Sequence, residues 1–202
     1  PSPDPNFRVT ERDTAAVAMR DTSVVVSTEA EIEKAYAYYG RIDESRADIL
    51  VYDTEPMRDS LVIAGPVSAV LYASSTAKDT DWFVRLSEVD ERGIVFPLVH
   101  GTVRARFRES HAKPKLLEPG AIHEYRIDLW QTGITIPKGR VLRVEVASAA
   151  FPTFSRNLNT GGRNEKETKY MKATQTIYHD AEHPSHVVLP VIDRPVFVDR
   201  PW

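Results

Sequence analysis

The chain of 202 residues has no cysteine. That excludes a disulfide framework, a thiolate metal site and a cysteine nucleophile. Glycine is sparse, nine against fourteen prolines. Neither G-x-G-x-x-G nor G-x-x-x-x-G-K-[ST] occurs, so no Gly-rich phosphate loop is present. The nucleophile elbow G-x-S-x-G is missing as well. No apolar run approaches the roughly 20 residues of a membrane span. The net charge is −3 with no run of like charges, which gives no reason to expect nucleic acid or an anionic membrane as partner. The start, Pro1-Ser2-Pro3-Asp4-Pro5, lacks a basic-then-apolar signal pattern and reads as an extended linker or the cut edge of something longer. The compartment stays open, with the cytoplasm slightly favoured.

What remains is an ordinary globular balance, 42% apolar and 27% charged, sufficient for a sizeable core. Residues 1–45 read as an N-terminal extension with one short helix over about 29–39. Thr28 and Glu31 have capping-box spacing, and Ile32, Ala35, Tyr36 and Tyr39 share one helical face ahead of Gly40. From 46 to 202 the period is two. Strands are expected at Ala47–Asp53, at Val62–Ser74 through Pro66, around Trp82–Ser87, over Val103–Arg108, Glu124–Leu129 and Leu142–Val146, at the end of Lys169–Tyr178, and at His186–Ile192. Alternation with one wet face marks antiparallel sheets. The predicted fold is all-β, a two-sheet jelly-roll sandwich.

Several clusters invite chemistry. His179, Asp180, Glu182, His183 and His186 could ligate a metal, but a turn entering the last strand is the favoured reading, with no metal. Ser185, His179 and Asp180 form a triad only on paper, because adjacent strand residues point apart. Arg104, Arg106 and Arg108 read as the wet face of an amphipathic strand, paired with acidic residues, rather than an anion site. Asp79, Asp81 and Trp82 could line a groove or hold calcium, or form a turn with Trp82 buried. The loop F-P-T-F-S-R-N-L-N-T-G-G, Phe151 to Gly162, is both apolar and turn-rich, so it is either packed against something or shaped to hold something.

The runs D-T-D-W-F-V-R-L-S-E-V, G-T-V-R-A-R-F-R-E-S, L-R-V-E-V-A-S-A-A-F-P-T-F-S-R-N-L-N-T-G-G and Q-T-I-Y-H-D-A-E-H-P-S-H-V-V-L-P-V stand in that order between Asp79 and Val191, within a likeness that extends from about Arg46 to Ile192. They resemble the C-terminal domain of the X-prolyl dipeptidyl-peptidase, cocaine esterase and glutaryl acylase group of serine hydrolases. The resemblance implies a galactose-binding-like jelly roll that follows an α/β-hydrolase domain. It implies no catalytic residue on this chain and no cofactor. It implies a partner, that α/β-hydrolase domain, in the same polypeptide or as a separate chain; self-association into a homo-oligomer is left open. Asp81, Trp82, Phe151, Phe154, Arg156, Asn157 and Asn159 are expected near the contact or lining the cleft. Phe151 and Phe154 are expected to pin the loop, and Arg156–Gly162 to face the catalytic domain. Before the first strand, S-T-E-A-E-I-E-K-A-Y-A-Y-Y-G-R-I-D stands where the family shows Pro-Thr-x-Gly-Gly and Gly-Pro-x-Asp-Gln segments. The alternative from another class is a free-standing carbohydrate-binding module using Trp82, Trp130 or Trp202.

Overall fold

Period-two alternation becomes eight strands in the computed structural model, which describes Lys34, Tyr36, Ala37 and residues 46–192. The strands are β1 Ile49–Asp53, β2 Leu61–Ser75, β3 Asp81–Val89, β4 Val95–Arg104, β5 His123–Ile136, β6 Val141–Ala147, β7 Gln175–Tyr178 and β8 His186–Val188. One sheet has the order β1-β6-β3-β4; in the other, β2 lies between β5 and β7, and β8 also pairs with β2. Every pairing is antiparallel. The chain crosses between sheets after β1, β2, β4, β5 and β6, as a jelly-roll sandwich requires. Of the expected helix, Lys34, Tyr36 and Ala37 are helical, and its other residues lie outside the described ones. Tyr36 packs against Phe96 of β4, ring centroids 4.9 Å apart.

The core forms where the inward faces meet. Val67, Ala69, Leu71 and Ala73 of β2 alternate inward, as do Trp82, Val84 and Leu86 of β3, Tyr125, Ile127 and Leu129 of β5, and Leu142 and Val146 of β6. All are buried, and burying a Val, Leu, Ile or Phe side chain stabilises by roughly 1.5–3 kcal/mol before entropy is subtracted. On the outer face of the first sheet, register sets charges opposite one another. Arg85 lies across from Glu145 and pairs with it, and Arg143 lies across from Asp53 with two bonds of 2.8 Å.

Two expected strands change on folding. The strand through Arg104 begins at Val95, and the chain leaves it at Ala105 for a 3₁₀ turn, Ala105–Phe107. The last strand ends at Val188; pairing resumes beyond Leu189, where Ala64 donates to the Pro190 carbonyl and Ile192 to that of Val62. Proline has no N–H for the ladder, which accounts for the interruption.

The sheets close tightly along β4 and β5. A Cβ on Gly101 would lie 2.0 Å from the Asp128 carbonyl oxygen, so only glycine lets these edges approach. Beyond it, β5 carries one extra residue against β2, since Pro66 pairs with Gln131 but Ser68 with Asp128. Trp130 absorbs that bulge with φ 72°, a conformation uncommon outside glycine, and is 74% exposed. Gly101→Ala is expected to force the edges apart and cost about 1–3 kcal/mol. Urea unfolding checks this as a lower midpoint at unchanged slope.

Candidate functional site: a carboxylate cluster beneath the loop 151–162

The D-T-D-W-F run starts β3 at one end of the sandwich. Asp79 is 0% exposed and Asp81 4%, so each carboxylate needs compensation. Arg104, at the end of β4, sits directly across from Asp81 and grips it with bonds of 2.8 and 3.0 Å. Hydrogen bonding to Asp81 pushes the Arg104 guanidinium above its ordinary range. The 3₁₀ turn swings Arg106 toward Asp79, which accepts from its side chain at 2.8 Å and from its backbone N–H at 3.0 Å. Arg106 also donates to the Gly162 carbonyl at 2.9 Å.

Asn157 joins the two pairs. Its side-chain nitrogen donates to Asp79 at 2.8 Å and to Asp81 at 2.9 Å, while its side-chain oxygen accepts the Asn159 N–H at 2.9 Å. Every donor and acceptor of that amide is matched in kind. The loop is then tied down further. Asn159, φ 62°, donates to the Met171 carbonyl, Met171 N–H donates to Leu158, and Asn164 donates to Arg156 O. Thr160 bonds the Glu167 carboxylate, which fills the space a side chain on Gly162 would need.

This geometry decides several sequence expectations. The Asn157 amide bridges Asp79 and Asp81, and one guanidinium group holds each carboxylate, so protein donors take the oxygens a calcium ion would need. The arginine stripe is not the wet face of a strand. Arg106 and Arg108 side chains are 16% and 4% exposed, because the 3₁₀ turn replaces the strand and rolls them inward. The expected acidic pairing does exist, at Asp81 and Asp79. Trp82 is 1% exposed, against Tyr125 at 5.7 Å, which removes it as a sugar platform. Trp202 lies outside the described residues. Phe154 pins the loop, packing on Phe83 at 5.2 Å and near His100 at 6.3 Å. Phe151 does not. It is 61% exposed beneath the Arg156 guanidinium, 4.8 Å away. Leu158–Gly162 lies half-buried in the domain's own bonding, leaving Phe151, Pro152, Thr153, Ser155 and Arg156 as the exposed members. Tyr170 and Met171, 71% and 48% exposed, adjoin the loop where the Met171 backbone bonds Leu158 and Asn159. Sequence reading missed them for want of any periodicity around 168–174.

The histidine group spreads out. His183 bonds Asp180, His186 bonds the Pro184 carbonyl, and His179 turns to Tyr52. Among the described residues no three His, Asp or Glu side chains converge on a metal position. The Ser185 hydroxyl is spent on Tyr178 O and Tyr72 N–H, so it is a structural clip.

Asn157→Ala is expected to cost about 1–3 kcal/mol by taking one hydrogen bond from each of two buried carboxylates, which keep their arginines. Asn157→Asp should cost more, because it sets a third carboxylate beside two. Chemical denaturation of both variants measures the order.

The chain matches, over residues 7–188, the family described as X-Pro dipeptidyl-peptidase C-terminal non-catalytic domain. The match starts well before Arg46, where the likeness read from the sequence begins, so the family pattern takes in most of the N-terminal stretch. Cocaine esterase of Rhodococcus sp. (strain MB1 Bresler) is 41% identical over 151 residues, 74% of this chain and 26% of that protein. An α-amino acid ester hydrolase structure superposes with a TM-score of 0.73 at 32% identity, covering 75% of this chain and 27% of the other. An aminopeptidase from a marine sediment archaeon (Thaumarchaeota) superposes with a TM-score of 0.69 at 34% identity, covering 76% and 27%. The chain spans about a quarter of the length of these relatives. It belongs to the X-Pro dipeptidyl-peptidase C-terminal non-catalytic domain family.

Proposed function

We propose that this domain packs on an α/β-hydrolase domain and helps to wall its active-site cleft, in a serine hydrolase of the dipeptidyl-peptidase, esterase or acylase type. The observation that carries this reading is the loop 151–162. Internal bonds fix it, yet Phe151, Arg156, Tyr170 and Met171 stay outward. A fixed face with exposed aromatics and an arginine has the composition of an interface hot spot. Asp81, Asn157 and Asn159 serve from beneath by holding that face, Phe154 by pinning it, and Trp82 by anchoring β3 in the core.

In this reading the chemistry belongs to the partner domain, which attacks an ester or amide through an acyl-enzyme. This domain contributes shape, the exclusion of water and the position of the cleft wall. The carbohydrate-binding alternative now rests on Trp130, since a strained, exposed tryptophan is the form a stacking platform takes. It lines neither the cavity beside Tyr52 and His179 nor the one beside Asp48 and Gln175.

The test is a chimera in which residues 46–192 replace the matching segment of Rhodococcus cocaine esterase. It is expected to be active on p-nitrophenyl acetate. Adding Phe151→Ala with Arg156→Glu should lower kcat/KM by about tenfold, the loss of roughly 1–2 kcal/mol of interface contact. Unchanged kinetics in that double variant would sink the reading. So would ester turnover by the purified chain alone that a serine-directed phosphonate abolishes.

A further inference from the structure

The two long sides of the sandwich differ. Gly101 closes the β4–β5 side. On the other side the sheet edges are β1 and, facing it, β7 with β8. β7 pairs with Tyr72–Ser75 and β8 with Ser68–Val70, and residues 179–185 leave the ladder between them. A cavity of about 300 Å³ lies between the sheets at this gap. Leu71, Val84, Val146, Ile177 and Val187 form its apolar walls, with Tyr52 and His179 among its few polar lining residues. The Tyr52 and His179 rings meet edge-on at 6.1 Å. Neither the Tyr52 hydroxyl nor the His179 ring nitrogens have a hydrogen-bond partner among the described residues. Tyr52 is 39% exposed; its partial burial pushes the phenol up, and like any phenol it is a donor at neutral pH.

Sandwich interiors pack as densely as organic crystals, with few voids larger than a water molecule. This space matches the lower end of ligand pockets, roughly 300–1,000 Å³. Its walls cannot simply collapse, because hydrogen-bonded ladders hold them on both sides. A macromolecule could reach it with little more than one side chain. We propose that the cavity binds a small, mostly apolar molecule with a single hydrogen-bonding group, a phenol or a medium-chain alcohol by class. The apolar part lies between the sheets and the hydroxyl meets Tyr52 and His179. The site is independent of the interface reading, since none of its lining residues belongs to the loop 151–162.

The test titrates 4-propylphenol and propylbenzene into the full chain, carrying ¹³C-labelled Val, Leu and Ile methyl groups. Saturable shifts are expected at Leu71, Val146, Ile177 and Val187. The phenol should bind about three- to tenfold tighter, the gain of one hydrogen bond. Tyr52→Phe combined with His179→Leu should erase that difference while leaving propylbenzene bound. Val187→Phe should fill the space and abolish binding of both; Ala69→Val serves where Val187→Phe does not fold. Absent or scattered shifts, equal affinities in the unaltered chain, or undiminished binding in the filled variant would overturn the proposal. So would nuclear Overhauser contacts from these methyls to another segment of the chain, which would show protein already occupying the cavity.

Discussion

Two carboxylates with almost no access to water, Asp79 and Asp81, set the main constraint on this domain. A buried charge persists only if it is paired and hydrogen-bonded. Satisfying both carboxylates draws on three separate parts of the chain. Arg104 comes from the end of β4, Arg106 from the 3₁₀ turn beyond it, and Asn157 from a loop more than fifty residues later. Each contributor has other duties. Arg106 holds the Gly162 carbonyl, and Asn157 orients Asn159, which in turn fixes Met171. The shape of the outward face therefore follows from how the charge beneath it is neutralised. Removing one member leaves an uncompensated buried group, typically at a cost of about 3–5 kcal/mol for a broken buried ion pair.

This arrangement explains how a segment without regular secondary structure can act as a surface of fixed form. Loops are usually the mobile part of a sandwich. Here Phe154 anchors the loop to Phe83 and His100 on the outer face of the first sheet, and the carboxylate cluster holds it from within. In the proposed packing, the outward residues would have little ordering entropy left to lose, the usual advantage of preorganisation. The cavity at the β1–β7 side is a separate feature. It arises because one edge ladder is interrupted and the opposite edge is not drawn in as Gly101 draws in β4 and β5.

Sequence reading works here wherever one residue type repeats at a fixed step. Trp82, Val84 and Leu86 alternate cleanly and do line the core, as do Tyr125, Ile127 and Leu129. It fails where a strand breaks its own pattern. Val95–Gly101 escaped detection because Pro97 and Gly101 interrupt it and its first four residues, Val95–Leu98, do not alternate in burial. The arginine run misled in the opposite way. Its period of two continues past Arg104, but the backbone turns at Ala105, so the same spacing sends Arg106 to a buried aspartate. The motifs singled out the Asn157 loop, but its bonding to Asp79 was hidden from the sequence, since Asp79 and Asn157 are 78 positions apart. Phe151 and Phe154 look equivalent in the sequence, and only three-dimensional register makes one an anchor and the other a surface residue.

The central claim is that buried charge beneath the loop fixes the loop's form, and native-state amide hydrogen exchange in the chain and in Asp79→Asn tests it most directly. The Arg106, Asn159 and Gly162 amides each donate a bond that depends on the cluster, directly or through Asn157 and the loop. The account predicts that all three are protected and lose protection together in the variant, while amides of the β2–β5 ladder change only with global stability. Loss confined to Arg106, whose amide bonds Asp79 directly, would contradict it and show that the loop holds its shape without the charge beneath.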